Sequence, residues 1–127
     1  MAHGVPEPDW KVFSELRKVA LERFCAQVLE EIEAASSDAS RSYHERYLTI
    51  YRLLQKRDKE LGIAFNDPRR SGMMIQLVAL HMRGLLQPEE LARFTPETRT
   101  RIELVVAEAR RVREPVKPSR SQTAKEW

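Results

Sequence analysis

Hydrophobic side chains recur along most of this chain at intervals of three and four residues, the spacing that lines one face of an α-helix. A main stripe of Trp10, Phe13, Leu16, Ala20, Leu21, Phe24, Val28 and Ile32 predicts a long first helix from Trp10 to about Ala35, with Asp9 as its N-cap. Ser36-Ser37-Asp38-Ala39-Ser40 interrupts the pattern, because short polar side chains compete for backbone hydrogen bonds. Ser42-Tyr43-His44-Glu45 then has the spacing of a capping box and predicts a second helix from Tyr43 to about Phe65. Its apolar face carries Tyr43, Tyr47, Ile50, Tyr51, Leu54, Leu61 and Phe65.

A third helix is expected over about 68–83, with Asp67 as N-cap, Pro68 in the first turn and Gly84 just past the end. From Met73 to Leu86 apolar side chains occupy most of the circumference, so this helix is expected to be buried. Arg69, Gly72, Gln76 and Arg83 share one narrow stripe, its expected wet edge. The segment is too short to span a bilayer, which takes ~20 apolar residues. A short fourth helix from Pro88 to about Phe94 and a fifth starting at Thr95-Pro96-Glu97 complete the pattern, and Pro115 ends the fifth. No strand alternation or internal repeat is present. The expected fold is all-α, a compact bundle of four to five helices around a buried central helix at about 68–83. Residues 9–114 should form this single domain, between a flexible arm at 1–8 and a basic, flexible tail at 115–127.

Charge sharpens that division. The net charge is +3, and the last 20 residues hold six basic and three acidic side chains, which is the whole excess. The body is therefore balanced, which argues against a broad nucleic-acid-binding face on it. Weak phosphate contacts by Arg110, Arg111, Arg113, Lys117 and Arg120 are the alternative expectation for the tail. The lone Cys25 cannot form an internal disulfide, and no secretory signal precedes Trp10, so a cytoplasmic location is expected.

Candidate chemistry is sparse. His44-Glu45 begins like a zinc-protease helix, but Leu48 occupies the position of the second imidazole, and no metal or cofactor is expected. Asp58 falls inside the apolar face of the second helix and His81 inside that of the third, so both are expected as buried polar residues. Counting along two antiparallel helices staggers the pair by ~10 Å and brings His81 level with Tyr51 instead. A Tyr51–His81 hydrogen bond, with Asp58 paired to Arg69 or Arg70, is the expected arrangement. A small enzyme or ligand pocket near His81 is the least favoured reading.

The first helix also carries Val12, Val19 and Ala26 on its more polar side and is much longer than the third, so this stripe is the candidate interaction surface. A second copy of the chain is its expected partner, since two-fold pairs are the commonest oligomers. The functional expectation is a non-enzymatic protein acting through protein–protein contacts, as a homodimer or adaptor.

Overall fold

The computed structural model describes residues 5–113. It contains α1 (Glu7–Ser36), α2 (Tyr43–Phe65), a single 3-10 turn (Arg70–Gly72), α3 (Met73–Met82), α4 (Pro88–Leu91) and α5 (Pro96–Arg113), and no strand among the described residues. The fold is all-α. The core joins Phe13, Leu16, Ala20 and Phe24 of α1 to Phe65 of α2, Leu77 and Leu80 of α3, Leu85, Phe94, and Ile102 and Val106 of α5. Fully burying one such side chain contributes about 1.5–3 kcal/mol relative to leaving it in water.

Local sequence sets several helix ends. Ser42 Oγ accepts from the Glu45 amide at 3.0 Å, and Glu45 Oε1 accepts from the Ser42 amide at 2.9 Å. Both donors belong to the first turn of α2, where no carbonyl is available within the helix. Gly84 has φ 75°, the left-handed conformation that closes the segment after α3 and that a side chain would strain.

Other ends differ from expectation. α1 starts two residues before Asp9, because Pro6 and Pro8 suit a first turn that needs no amide there, so residues 7–8 are helix and not arm. Asp67 does not cap α3. It sits at φ 53° in the connection, a conformation Asp tolerates, and accepts from Arg69 Nε at 3.0 Å. α3 is therefore a ten-residue helix that contacts α1, α2 and α5. Its wet edge is not the polar stripe either. Gln76 is buried at 7% exposure and donates to the Asn66 carbonyl at 2.9 Å, whereas Ile75 is 70% exposed. The amide outcompetes the apolar side chain for the interior because the carbonyl of the α2–α3 connection needs a donor there.

Asp9 closes the bundle. It is fully buried, and its carboxylate accepts from the Thr95 amide at 2.8 Å, Thr95 Oγ1 at 2.8 Å and Thr98 Oγ1 at 2.6 Å. The charge thus lies at the N-terminus of α5, where the helix dipole and free amides favour an anion. Three further pairs hold α1 in place. Arg23 makes two 2.8 Å bonds to Glu90 and a third to the Leu85 carbonyl, Arg70 pairs with Glu7 at 2.7 Å, and Arg93 pairs with Glu15. The bonds from Arg23 hold the Glu90 carboxyl below its usual value, against the opposing effect of burial. Asp9→Ala should leave three donors without their acceptor and lower the unfolding free energy by about 2–4 kcal/mol in denaturant titrations. A loss below about 0.5 kcal/mol would show that the contact is not structural.

Candidate functional site

The structure separates the three polar candidates. Asp58 is exposed and has neither a hydrogen bond nor an ion pair among the described residues. Tyr51 is exposed as well, and its hydroxyl accepts from Gln55 Nε2 at 3.2 Å in its own helix. Only His81 is half-buried. The expected Tyr51–His81 bond and the Asp58–arginine pair are both absent among the described residues, where Arg69 and Arg70 bind Asp67 and Glu7. The residue count itself was at fault, because α3 begins at Met73 and not near 68, and the pairing of Arg83 with Glu60 puts His81 nearer the level of Leu61 than of Tyr51. The tyrosine-bearing face of α2 also turns away from α3.

His81 instead faces α4 and α5. With Leu86, Pro88, Leu91, Ile102, Arg99 and Glu103 it lines a mostly apolar hollow of about 350 Å³. Burial holds the imidazole below its ordinary value of 6.5, with a smaller push in the same direction from Arg110 and an opposing one from Glu103. A neutral imidazole in such a hollow has one donor and one acceptor, and Glu103 is the one other potential base on its lining; no Ser, Thr, Cys or Lys lines the same space and no hydrogen bond joins His81 to Glu103 among the described residues. No group of three or more His, Cys, Asp or Glu among the described residues could hold a metal ion.

A second hollow lies between α1 and α2. This groove, of about 250 Å³, is lined by Cys25, Val28, Leu29 and Ile32 of α1 and by Leu54, Asp58 and Leu61 of α2. Of its lining, Leu29 is 63% and Leu54 45% exposed, and Tyr51, Tyr47 and Tyr43 are exposed on successive turns of the same side of α2, leading away from the groove towards the start of that helix. The groove opens away from the rest of the bundle. At about 100° per residue, Ile32 lies roughly 180° round α1 from Arg23, the side chain that reaches Leu85 and Glu90. On α2, Asp58 lies roughly 160° from Glu60, which pairs with Arg83 beyond α3.

The groove's walls are rigidly joined. Arg57 binds Glu31 of α1 through two bonds of 2.9 and 2.8 Å and Glu60 at 2.9 Å. These bonds hold the Glu31 carboxyl below its usual range, led by the hydrogen bonds of Arg57. Of the two charged side chains on the lining, Arg57 is satisfied in this way and Asp58 is exposed without an ion pair among the described residues; the rest of the lining is apolar apart from Cys25.

The other expected sites are dispersed. Val19 and Ala26 are exposed, while Val12 packs against the core because it lies about 60° round α1 from Asp9, on the side where α5 docks. Arg111 pairs with Glu108 one turn away and Arg110 is exposed. The side chain of Arg113, and Lys117 and Arg120, lie outside the described residues, as does the tail at 115–127. No helix among the described residues is long and apolar enough to cross a membrane. Comparison with known proteins finds no matching family model, no matching curated protein and no matching solved structure.

The environment of His81 has a measurable consequence. The folded protein resists protonating this ring and the unfolded chain does not, so its stabilising effect is full above about pH 6.5 and is lost as pH falls below it. The His81 resonance should titrate below 6.5 by NMR. Between about pH 7 and pH 5, His81→Leu should flatten part of the fall in Tm. Titration at or above 6.5 would contradict the burial argument.

Proposed function

We propose that this protein works through contact with other protein surfaces, not by catalysis, and that the open face of the α1–α2 hairpin is where it does so. The observation that carries this reading is the groove with Leu29 and Leu54 exposed on its lining, continued along α2 by exposed Tyr51, Tyr47 and Tyr43, on a face that no other described element covers. Single exposed apolar residues are ordinary on any protein. A contiguous group of them rimmed by charge is the usual mark of an interaction site. Tyrosine suits such a site, because it brings a large rigid apolar ring with a hydroxyl that tolerates water when the partner is absent.

Helix geometry supports the same reading. Leu21, Cys25, Val28, Ile32 and Ala35 on α1, and Tyr47, Ile50, Leu54, Arg57 and Leu61 on α2, repeat at alternating intervals of three and four. That is the spacing of helices that pack side by side in bundles, with more than one neighbour available to each. The stripe of Val12, Val19 and Ala26 is not the centre of this surface. Ala26 lies about 60° from Leu29 and belongs to its rim.

Site-specific photocrosslinking tests the proposal directly. A benzophenone side chain at Tyr47 should give a discrete covalent adduct with protein in living cells, and one at Ile75, equally exposed but on α3, should not. Absence of an adduct at Tyr47, or the same adducts from both positions, would overturn it.

A further inference from the structure

We infer that the hollow between α3, α4 and α5 is a binding site for a free amino acid with a large apolar side chain, held by its carboxylate at Arg99 and by its ammonium at Glu103. This site is separate from the α1–α2 groove and does not depend on the contact reading. Arg99, Ile102 and Glu103 lie within about 100° of one another round α5, so all three face the hollow, together with His81, Leu86 and Leu91. Leu86 and Ile102 are buried, which makes its floor apolar. The volume of about 350 Å³ is at the lower end of the ~300–1,000 Å³ of small-molecule sites. That suits a body the size of leucine or phenylalanine and not a nucleotide.

The argument comes from two charges that no described residue neutralises. Arg99 has no ion-pair partner among the described residues, and its Nε is buried without a hydrogen bond there. A buried donor left unsatisfied is costly and rare in folded proteins. Glu103, exposed at the edge of the same hollow, has no ion-pair partner among the described residues either. One turn separates the two, yet they are not paired with each other, and an arginine four residues ahead of a glutamate is the weaker order for such a pair. Arg110 follows Glu103 by two turns, ~10 Å, and does not line the hollow. One cation and one anion thus border the apolar floor, a turn apart.

That pattern selects the ligand. A plain carboxylic acid would satisfy Arg99 but set its charge beside Glu103, and a plain amine would satisfy Glu103 but stand beside Arg99. A neutral apolar molecule would leave both unmatched. An α-amino acid carries carboxylate and ammonium on one carbon, so it spans the two side chains and gives each an opposite charge. Its own side chain then enters the apolar floor. The neutral His81 ring, on the same lining as Glu103, offers one nitrogen as a further acceptor for the ammonium. A residue within a peptide chain has lost both charges, so the site distinguishes a free amino acid from the same side chain in a protein.

Calorimetric titration of the full chain tests the site. L-Leucine and L-phenylalanine should each bind one per chain and raise Tm. Hydrocinnamate, which lacks the ammonium, and phenethylamine, which lacks the carboxylate, should each bind about tenfold or more weakly than L-phenylalanine. Arg99→Gln should weaken L-phenylalanine by a similar factor and erase its advantage over phenethylamine. Glu103→Gln should instead erase its advantage over hydrocinnamate. Neither side chain belongs to the core, so the helical circular-dichroism spectrum should be unchanged in both variants. Ala92→Phe, which places a ring in the hollow from its exposed border, should abolish binding. No binding of either amino acid up to about 10 mM, either analogue binding as tightly as L-phenylalanine, or variants that keep wild-type affinity would each overturn the inference. None of these outcomes bears on the Tyr47 adduct, which reads the face of the α1–α2 hairpin.

Discussion

The carboxylate of Asp9 is the only charged side chain fully buried among the described residues, and the rest of the fold follows from where it must lie. A buried carboxylate is tolerable only when its oxygens are hydrogen-bonded, and here the first turn of α5 supplies all three donors. That bond set brings residues 86 and 89 positions apart into contact and lays α5 over the start of α1. α3, only ten residues long, spans ~15 Å and can cover a third of the ~45 Å length of α1 on one side. Arg23, reaching Glu90 and Leu85, fastens α4 and the segment after α3 to that same side. Every described element after α2 is therefore gathered on one face of the α1–α2 hairpin. The opposite face is left with its tyrosines and leucines in water.

How much of this was legible in the sequence depended on the range of the interaction responsible. Ser42 and Glu45 sit in adjacent positions of the first turn of α2, and Gly84 serves the turn it belongs to, so neighbouring residues alone revealed them. Asp9 looked like a cap of its own helix because the spacing suited one, and nothing local points to Thr95 or Thr98. Gln76 illustrates the same limit. Helical periodicity assigned it to water, but a carbonyl exposed by the turn at Asn66 drew it inside. Ile75, the residue displaced by that choice, carries no mark in the sequence that separates it from Leu77 or Leu80.

The candidate site was half visible for a related reason. An apolar stripe on a helix tells that something should cover it, not what does. The spacing places Tyr43, Tyr47 and Tyr51 on the apolar face of α2, and the side they share is exposed instead of core. What periodicity does not contain is the rotation of α2 about its own axis relative to α3, set here by Glu60 pairing with Arg83 and by Arg57 pairing with Glu31. That rotation turns Tyr51 and Asp58 outward together and sends His81 toward α4 and α5. The functional candidates thus moved from an imagined polar pair in the core to an apolar groove between α1 and α2.

Exposing that groove is costly to a lone chain, since each Å² of apolar surface left in water forgoes roughly 25 cal/mol. The account therefore requires that the face be bare in the isolated chain and covered when the protein is at work. Hydroxyl-radical footprinting of the purified chain and of the same chain in living cells reads this directly, because it reports the exposure of individual side chains. Oxidation of Leu29, Tyr47, Tyr51 and Leu54 relative to that of Ile75 and Ile63 should be lower in cells than in the purified chain at nanomolar concentration. The same relative oxidation of all six in both settings would contradict it.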